Sequence, residues 1–150
     1  MVQPRVSTTR DCYATALRKA SRRLTAFYDD ALAPTGLRST QYAILGELVH
    51  GDPVTINELA QALVLDRSGL GHSLRPLQRD GLIRLDKDAA DRRSVNVTLT
   101  AEGRRRFEQA LVLWRSAQDQ VVAVLGTSVA DRLRDQLNGI AEDDQLTSRP

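Results

Sequence analysis

Four polar side chains between residues 66 and 80 recur with the spacing of one helix face: Ser68, His72, Arg75 and Arg79. At about 100° per residue they fall within roughly 60° of one another. Three leucines fall on the opposite face: Leu70, Leu74 and Leu77. Such a helix can bury one side in a core and present hydroxyl, imidazole and guanidinium donors to base edges and phosphates. Arg67, beside a capping residue at Asp66, would add a cation at the start of this helix. The segment therefore predicts a helix that contacts a nucleic acid.

A polar outer face is typical of any surface helix, so the neighbouring elements decide between the two interpretations. Thr55 and Glu58 have the spacing of a capping box, which begins a short preceding helix. A tight turn at Val64-Leu65 separates the two helices, and Gly81 ends the second. Within that second helix, Pro76 removes one backbone hydrogen bond and predicts a kink about one turn earlier.

Residues 82 to 99 have the pattern of a β-hairpin. Leu82-Ile83-Arg84-Leu85 predicts one strand, and apolar residues alternate with polar ones over 95–99 in the other. The polar tip between them contains Asp91-Arg92-Arg93-Ser94. An arginine on a thin β-loop can enter the minor groove of DNA, and a neighbouring carboxylate can hold its rotamer. The alternative is a solvated loop with a local ion pair. Two short helices, a tight turn and a hairpin predict a winged helix-turn-helix.

Amphipathic helices flank this centre. The first is predicted over residues ~8 to 33, where apolar or small residues recur at coiled-coil spacing: Tyr13, Leu17, Ala20, Leu24, Phe27 and Ala31. Pro34 and Gly36 end it, and Ser39 is expected to cap the next helix. Thr100 is expected to cap the first of two helices over residues ~100 to 143, with a break at Gly126-Thr127-Ser128 and a frayed tail from 142 to 150.

The stripes on the flanking helices are longer than a small central core can cover. Isologous pairing of two chains would bury them, so we expect a homodimer; packing within one chain is the alternative. The fold class expected is mainly α with a small β-wing, in one domain over residues 1–150. Within it, a winged helix-turn-helix lobe at 37–99 lies between dimerisation helices at 8–33 and 100–143.

The run Asp91-Arg92-Arg93-Ser94-Val95-Asn96-Val97-Thr98-Leu99-Thr100-Ala101-Glu102-Gly103 resembles the wing signature of the MarR (multiple antibiotic resistance regulator) family. That signature has D-x-R, then alternating apolar residues, then L-T-x-x-G. Residues 74–83 resemble the recognition helix and first wing strand of the same family, and residues 33–42 resemble its N-terminal part. Together these segments cover about residues 30 to 103, and flanking helices of suitable length extend the resemblance over most of the chain.

The resemblance implies a triangular homodimer that binds double-stranded DNA, with a recognition helix in each major groove and a wing arginine in the minor groove. Arg93 matches that arginine, with Arg92 beside it, and Asp91 matches the acid that orients it. A pseudo-palindromic operator is also implied, often beside the regulator's own gene, and usually repression that a small molecule relieves. The sequence itself does not choose between repression and activation.

Members of this family often bind phenolic or aromatic acids between the dimer helices and the DNA-binding lobe. The candidate lining residues are Tyr13, Arg18, Arg22, Tyr28 and Tyr42, for each of which an ordinary core or surface role is the alternative. Cys12 is similar in place to the reactive cysteine of the family's hydroperoxide-sensing branch, but it lies about two residues upstream, about 200° around the helix. We therefore expect an inert or packing cysteine, with a redox-sensing regulator as the alternative.

Composition excludes several other classes. With 41% hydrophobic residues the chain can form an ordinary core, and its one cysteine and lack of a long apolar run favour a protein of the reducing cytoplasm. An enzyme is not expected, since His50 and His72 lie far apart and no spacing suits a metal or a cofactor. A winged helix used only for protein contacts is the better rival, but it would not need arginines on both the helix and the wing.

Overall fold

Over residues 11–91 and 93–146, which this computed structural model describes, the chain forms helices around a small antiparallel sheet. The helices are α1 (Tyr13–Leu32), α2 (Ser39–Leu48), α3 (Ile56–Ala62), α4 (Arg67–Arg79), α5 (Ala101–Leu125) and α6 (Thr127–Glu142). The strands are β1 (Val54–Thr55), β2 (Ile83–Lys87) and β3 (Val95–Leu99), and short 3₁₀ turns follow α1 and α6. The predicted fold class, mainly α with a small β-wing, is confirmed.

The ends of α1 differ in how well the sequence predicted them. Residues 8–10 of the predicted helix lie outside the described residues. Asp11 and Cys12 precede the helix, so the predicted start is too early. At the other end, a 3₁₀ turn containing Pro34 leads into Gly36, whose φ of 73° is the left-handed conformation that glycine adopts at no steric cost. The predicted stop at these two residues is confirmed.

The N-terminus of α2 is capped by another helix, and the prediction that Ser39 caps it is wrong. Ser39 is the first helical residue, and both its N–H and its hydroxyl donate to Asp29 Oδ1 of α1, each at 2.7 Å. Arg38 Nη1 also donates to Asp29 Oδ2, at 3.2 Å. Partial burial raises the pKa of Asp29, but the hydrogen bonds from Ser39 and Arg38 outweigh it and leave that pKa lowered. A carboxylate from α1 thereby joins the first helix to the second.

Both caps predicted for the helix-turn-helix are confirmed. Thr55 Oγ1 accepts the Glu58 N–H at 3.2 Å, and Glu58 Oε2 accepts the Thr55 N–H at 2.8 Å. Asp66 Oδ1 accepts the Gly69 N–H at 2.6 Å and begins α4. In the turn between the helices Val64 has a φ of 51°, a costly conformation for a β-branched residue. The second helix then continues through Pro76 to Arg79, without an interruption at the proline.

The sheet has the order β1-β3-β2, and sequence reasoning missed its first strand. Val54 pairs with Val97 and Thr55 with Asn96, so the segment that caps α3 also forms a sheet edge. Two residues are too few for an alternating pattern to be recognised. The first hairpin strand, predicted over 82–85, lies at Ile83–Lys87 instead. The loop at the wing tip is therefore shorter than predicted.

A leucine-rich core lies where the helix-turn-helix meets the sheet and α5. Its fully buried side chains come from α1 to α4, the wing and the loop before it: Leu32, Ile44, Leu45, Leu48, Leu59, Leu70, Leu74, Leu77, Leu82 and Val97. Burying a leucine side chain stabilises a fold by about 1.5–3 kcal/mol. The three leucines of α4 therefore fix which side of that helix faces outward.

The carbonyl of Leu82 joins the base of the wing to α5. It accepts the Thr100 N–H at 3.1 Å, and the Thr100 hydroxyl lies 3.0 Å from it and 2.7 Å from the Gly81 carbonyl oxygen. As predicted, Thr100 caps α5, accepting the Gly103 N–H at 3.0 Å. A Cβ on Gly103 would lie 2.0 Å from the Leu82 oxygen, so only glycine fits there. These contacts explain physically why the L-T-x-x-G run has its threonine and its glycine.

At the far end of α5, the predicted break is too long. Gly126 alone separates α5 from α6, with a φ of 82° that favours glycine. Thr127 and Ser128 already belong to α6. The tail beyond α6 contains a 3₁₀ turn at Asp144–Leu146, and residues 147–150 lie outside the described part of the chain.

Asp88 organises the wing tip. Its Oδ1 accepts the N–H groups of Ala90 and Asp91 at 2.7 and 3.1 Å, and its Oδ2 accepts the Asn96 side-chain amide at 3.0 Å. These hydrogen bonds, first of all the one from Asn96, lower the pKa of the Asp88 carboxyl. The carboxylate closes the turn through the main chain and ties it to β3.

We expect Gly103→Ala to destabilise the protein by about 3 kcal/mol, because the new methyl group collides with the Leu82 carbonyl and forces α5 away from the wing. Gly139→Ala on α6 is the matched control, since nothing lies within 4 Å of its added Cβ. That change should stabilise the helix by about 0.5–1 kcal/mol. Urea unfolding of both variants measures the difference, and equal midpoints would contradict the proposed close contact.

Asp88→Ala should loosen the wing tip with little effect on global unfolding, because every hydrogen bond of this side chain is local. The readout is amide hydrogen-exchange protection at Ala90 and Asp91, which should fall in this variant and persist in the control Asp86→Ala. Since the folded-state pKa of Asp88 is lowered, its contribution is complete above the unfolded pKa of about 3.9 and is lost as the pH falls through the folded value. Protection that already disappears between pH 7 and 5 would count against this role.

Candidate nucleic-acid interface

Helix α4 presents the polar face that the sequence predicted. Leu70, Leu74 and Leu77 are each 2% exposed or less, whereas the predicted contact residues on this helix are all exposed: Arg67, Ser68, His72, Arg75 and Arg79. The hydrogen bond from Gly69 to Asp66 fixes the first turn, where Arg67 and Ser68 lie. The helix therefore offers a row of donors to whatever lies against its outer side.

The arginines of this row differ in whether a carboxylate neutralises them. In the described chain, no carboxylate lies within 4.0 Å of the guanidinium groups of Arg67 or Arg75. Arg79 differs, because its Nε donates to Asp80 Oδ1 at 3.0 Å. Both of those side chains are largely exposed, so this pair contributes at most about 1 kcal/mol, but it neutralises the charge at the C-terminal end of the row. Arg67 and Arg75 are the cations best placed for an incoming anion.

The predicted contact residue Arg93 is exposed on the wing, and the structure places Asp91 differently from the expectation. Asp91 Oδ1 accepts the backbone N–H of Arg93 at 3.0 Å, and among the described residues no ion pair joins the two side chains. The carboxylate thus shapes the turn that carries Arg93, while the guanidinium keeps its own freedom. Arg92 lies outside the described residues.

Sequence reasoning missed the groups that hold this lobe on the long helices. Arg104 Nη2 donates to the Val49 carbonyl at 2.9 Å, and Arg106 Nη1 donates to the Thr35 carbonyl at 2.8 Å. Two arginines of α5 thus bind main-chain carbonyls at the C-terminus of α2 and in the 3₁₀ turn that precedes it. Asp29 accepts the Ser39 N–H at the start of α2. No pattern of neighbouring residues in the sequence predicts these contacts, because they join residues up to 71 positions apart.

The candidate effector residues do not line one cavity within the protomer. Tyr42 is half-buried between Phe107 and Trp114, with ring centroids 5.0 and 5.8 Å away and nearly parallel planes. Tyr28 donates its hydroxyl to Gln118 of α5. Burial raises the pKa of both tyrosines. These two therefore hold α1 and α2 against α5.

The other three candidates lie in the open. Tyr13 is 92% exposed, and Arg18 and Arg22 are exposed on α1. Of the five candidates, only Arg22 contributes to the shallow depression on this helix, with Lys19, Arg23 and Ala26.

Cys12 is exposed at the N-cap of α1 and is a free thiol. The prediction that Cys12 packs within the protomer is therefore wrong, because the residue precedes the first helical turn and its side chain is exposed. Hydrogen bonds from Thr15, together with the nearby Arg18 charge, lower the pKa of the thiol. Exposure and a lowered pKa are properties that a reactive cysteine needs, so the redox alternative stays open.

Large apolar side chains are exposed along the terminal helices, as the stripe analysis predicted. They belong to α1, the end of α5, and α6: Tyr13, Leu17, Val124, Leu125, Val129, Leu133 and Ile140. Helix α6 has no buried residue at all. Exposed apolar side chains in this number are typical of a surface that packs against another chain. Within the described residues, no helix is both long and apolar enough to cross a membrane.

Comparison with known proteins places this geometry in one group. A family model described as "MarR family" matches residues 35–94, the lobe that contains α4 and the wing. A crystal structure of the Mycobacterium tuberculosis transcriptional regulator MosR in complex with DNA is 34% identical in sequence, with a TM-score of 0.79, over 87% of this chain and 94% of that one.

Two curated relatives match over shorter stretches. The transcriptional activatory protein BadR of Rhodopseudomonas palustris is 33% identical over 104 residues, which are 67% of this chain and 56% of BadR. The organic hydroperoxide resistance transcriptional regulator of Bacillus subtilis is 30% identical over 95 residues, 63% of this chain and 65% of that protein. The matches thus span less than two thirds of these relatives' lengths. The lobe matched by the family model and the near-complete structural match at 34% identity together show that this chain belongs to the MarR family.

Proposed function

We propose that this protein is a transcriptional regulator that binds operator DNA as a homodimer through its winged helix-turn-helix. The observation that carries the proposal is α4, which buries three leucines and turns unpaired Arg67 and Arg75 outward together with Ser68 and His72. An exposed guanidinium with no carboxylate beside it is ready for a guanine edge or a phosphate. The MosR relative, which was crystallised with DNA, supports the same use of this fold.

In the proposed complex, α4 lies in the major groove and the wing follows the adjacent minor groove. Ser68 and His72 lie in the first half of the helix, which in helix-turn-helix proteins contacts base edges, and Arg75 lies one turn later. Arg93 projects from a turn that Asp91 and Asp88 hold through main-chain hydrogen bonds. Arg79, already paired with Asp80, contributes least to affinity.

The dimer is proposed to form through the exposed apolar faces of α1, α5 and α6. Two recognition helices related by a two-fold axis then contact half-sites about 34–36 Å apart, one turn of the duplex. The contacts from α5 to Val49 and Thr35 would hold each lobe rigidly on this scaffold. Residues 8–33 and 100–143 are the proposed dimerisation segments, and 37–99 the DNA-binding lobe.

The direction of regulation and the effector are further proposals. Family resemblance favours repression relieved by a small phenolic or aromatic molecule, whereas the BadR relative is named as an activatory protein. The half-buried Tyr28 and Tyr42, at the junctions of α1 and α2 with α5, are the residues that we expect such a molecule to contact. This junction connects the proposed dimer helices with the lobe, so a ligand there could change the separation of the two α4 helices.

Arg75→Ala should weaken binding to a DNA fragment flanking the protein's own gene by about 1–3 kcal/mol per half-site. Arg93→Ala should weaken binding more uniformly across sequences and make the salt dependence less steep by about one phosphate contact per chain. Arg132→Ala, which removes an exposed and unpaired cation from α6, is the matched control and should change neither quantity. Gel-shift titration at several salt concentrations measures both, and equal effects in all three variants would refute the proposed interface.

Leu133→Asp should dissociate the dimer, because a charge buried in each copy of the interface costs at least about 2 kcal/mol. The control is Val112→Asp, at an exposed site about 140° around α5 from buried Phe107, which should leave the dimer intact. Sedimentation velocity gives the oligomeric state, and circular dichroism checks that each variant is folded. A wild-type protein that sediments as a monomer would overturn the proposed assembly.

A further inference from the structure

We propose that the outer face of α1 carries a separate binding site for a small molecule with two adjacent phosphate groups. The site consists of Lys19, Arg22 and Arg23 around Ala26, which line a shallow depression on the helix surface. Lys19 precedes Arg22 and Arg23 by three and four positions, so it is the neighbour of both on the helix surface, with Cβ atoms about 5–6 Å apart. Arg22 and Arg23 are adjacent in sequence and leave the helix about 100° apart, on either side of Lys19. Linked phosphates have a spacing that can engage all three at once.

The cations of this phosphate patch, Lys19, Arg22 and Arg23, have no counter-charge. No acidic residue occurs from Tyr13 to Tyr28, and Asp29 is taken by Ser39 and Arg38. Like charges at i, i+3 and i, i+4 destabilise a helix. In the described chain, no carboxylate lies within 4.0 Å of any of the three. The helix therefore tolerates a repulsion that an anion would remove.

Several arginines of this chain pair with carboxylates. Six do so in the described residues: Arg38, Arg79, Arg84, Arg105, Arg106 and Arg134. The guanidinium groups left unpaired include Arg67, Arg75 and Arg93 of the proposed DNA interface, where phosphates would take the place of carboxylates. The phosphate patch shares this property, and it differs from single unpaired arginines such as Arg115 and Arg132 because three cations lie together around one depression.

Its place in the fold favours a small ligand over the operator. At about 1.5 Å per residue, Arg22 lies roughly 15 Å from the C-terminal end of α1. That helix packs on α5, α2 and the 3₁₀ turn that follows it. At about 100° per residue, the patch is centred about 140° around α1 from the half-buried Leu24, Phe27 and Tyr28. Only Arg23 comes within about 40° of that face, so a dimer formed through the apolar stripe leaves Lys19 and Arg22 open. The site is thus distinct from the tyrosines proposed for an aromatic effector.

Inorganic pyrophosphate is the probe, titrated by calorimetry into the full-length protein without DNA, with orthophosphate and sodium chloride at matched ionic strength for comparison. We expect one pyrophosphate per chain, with a rise in melting temperature that orthophosphate does not give. The variant Lys19→Gln/Arg22→Gln/Arg23→Gln should lose about tenfold or more in affinity. Glutamine keeps the helix propensity, and removing the repulsion should raise the melting temperature of the unliganded variant.

The control variant, Lys87→Gln/Arg115→Gln/Arg132→Gln, removes the same number of exposed, unpaired cations elsewhere and should bind pyrophosphate as the wild type does. Equal weakening in both variants would assign the effect to net charge and overturn the proposal, as would the absence of saturable binding. If only the patch variant loses affinity for duplex DNA while pyrophosphate does not bind, the patch is a DNA contact instead. Because pyrophosphate is titrated without DNA, these results stand whether or not the protein is a regulator.

Discussion

The burial of three leucines on one side of α4 determines the rest of this molecule. Each leucine contributes about 1.5–3 kcal/mol when it is removed from water. Rotating the helix by half a turn, about 180°, would expose that face and bury the donors opposite it. No comparable force acts on Arg67, Ser68, His72 or Arg75, which lie outward because the leucines lie inward. The proposed DNA-reading surface is therefore a consequence of core packing, and its geometry is as rigid as the core.

The same constraint extends from α4 to the wing and to α5 through contacts with main-chain carbonyl groups. Leu82 lies just after α4, and its carbonyl accepts the N–H of Thr100 at the start of α5. This close approach of α5 is possible because Gly103 has no side chain. Arg104 and Arg106, one turn further along α5, reach the chain on either side of α2. A displacement of α5 at the proposed dimer interface would thus be transmitted to α4 by hydrogen bonds and by the close contact at Gly103.

Local signals in the sequence predicted most of the fold, because a cap or a stop depends on residues three or four positions apart. The capping box at Thr55, the caps at Asp66 and Thr100 and the stop at Gly36 were all found in this way. Ser39 was wrongly predicted as a cap because its true partner, Asp29, lies on another helix, and β1 was missed because its only evidence is a pairing with β3. The site followed the same division: the faces of α4 could be derived from periodicity, whereas the role of Asp88 depends on Asn96 across the wing.

A formal net charge of only +2 gives little indication of how this protein uses its cations. What distinguishes them is the presence or absence of a carboxylate neighbour, which only a folded structure can show. Paired arginines such as Arg105 and Arg106 gain a structural contact and lose most of their attraction for an external anion. Unpaired ones keep that attraction. In the described residues they include Arg67 and Arg75 on α4, Arg93 on the wing, and Arg22 and Arg23 on α1, besides single cations such as Arg115 and Arg132. An exposed guanidinium without a carboxylate neighbour keeps its full set of donors, so an external phosphate is a partner that can use them.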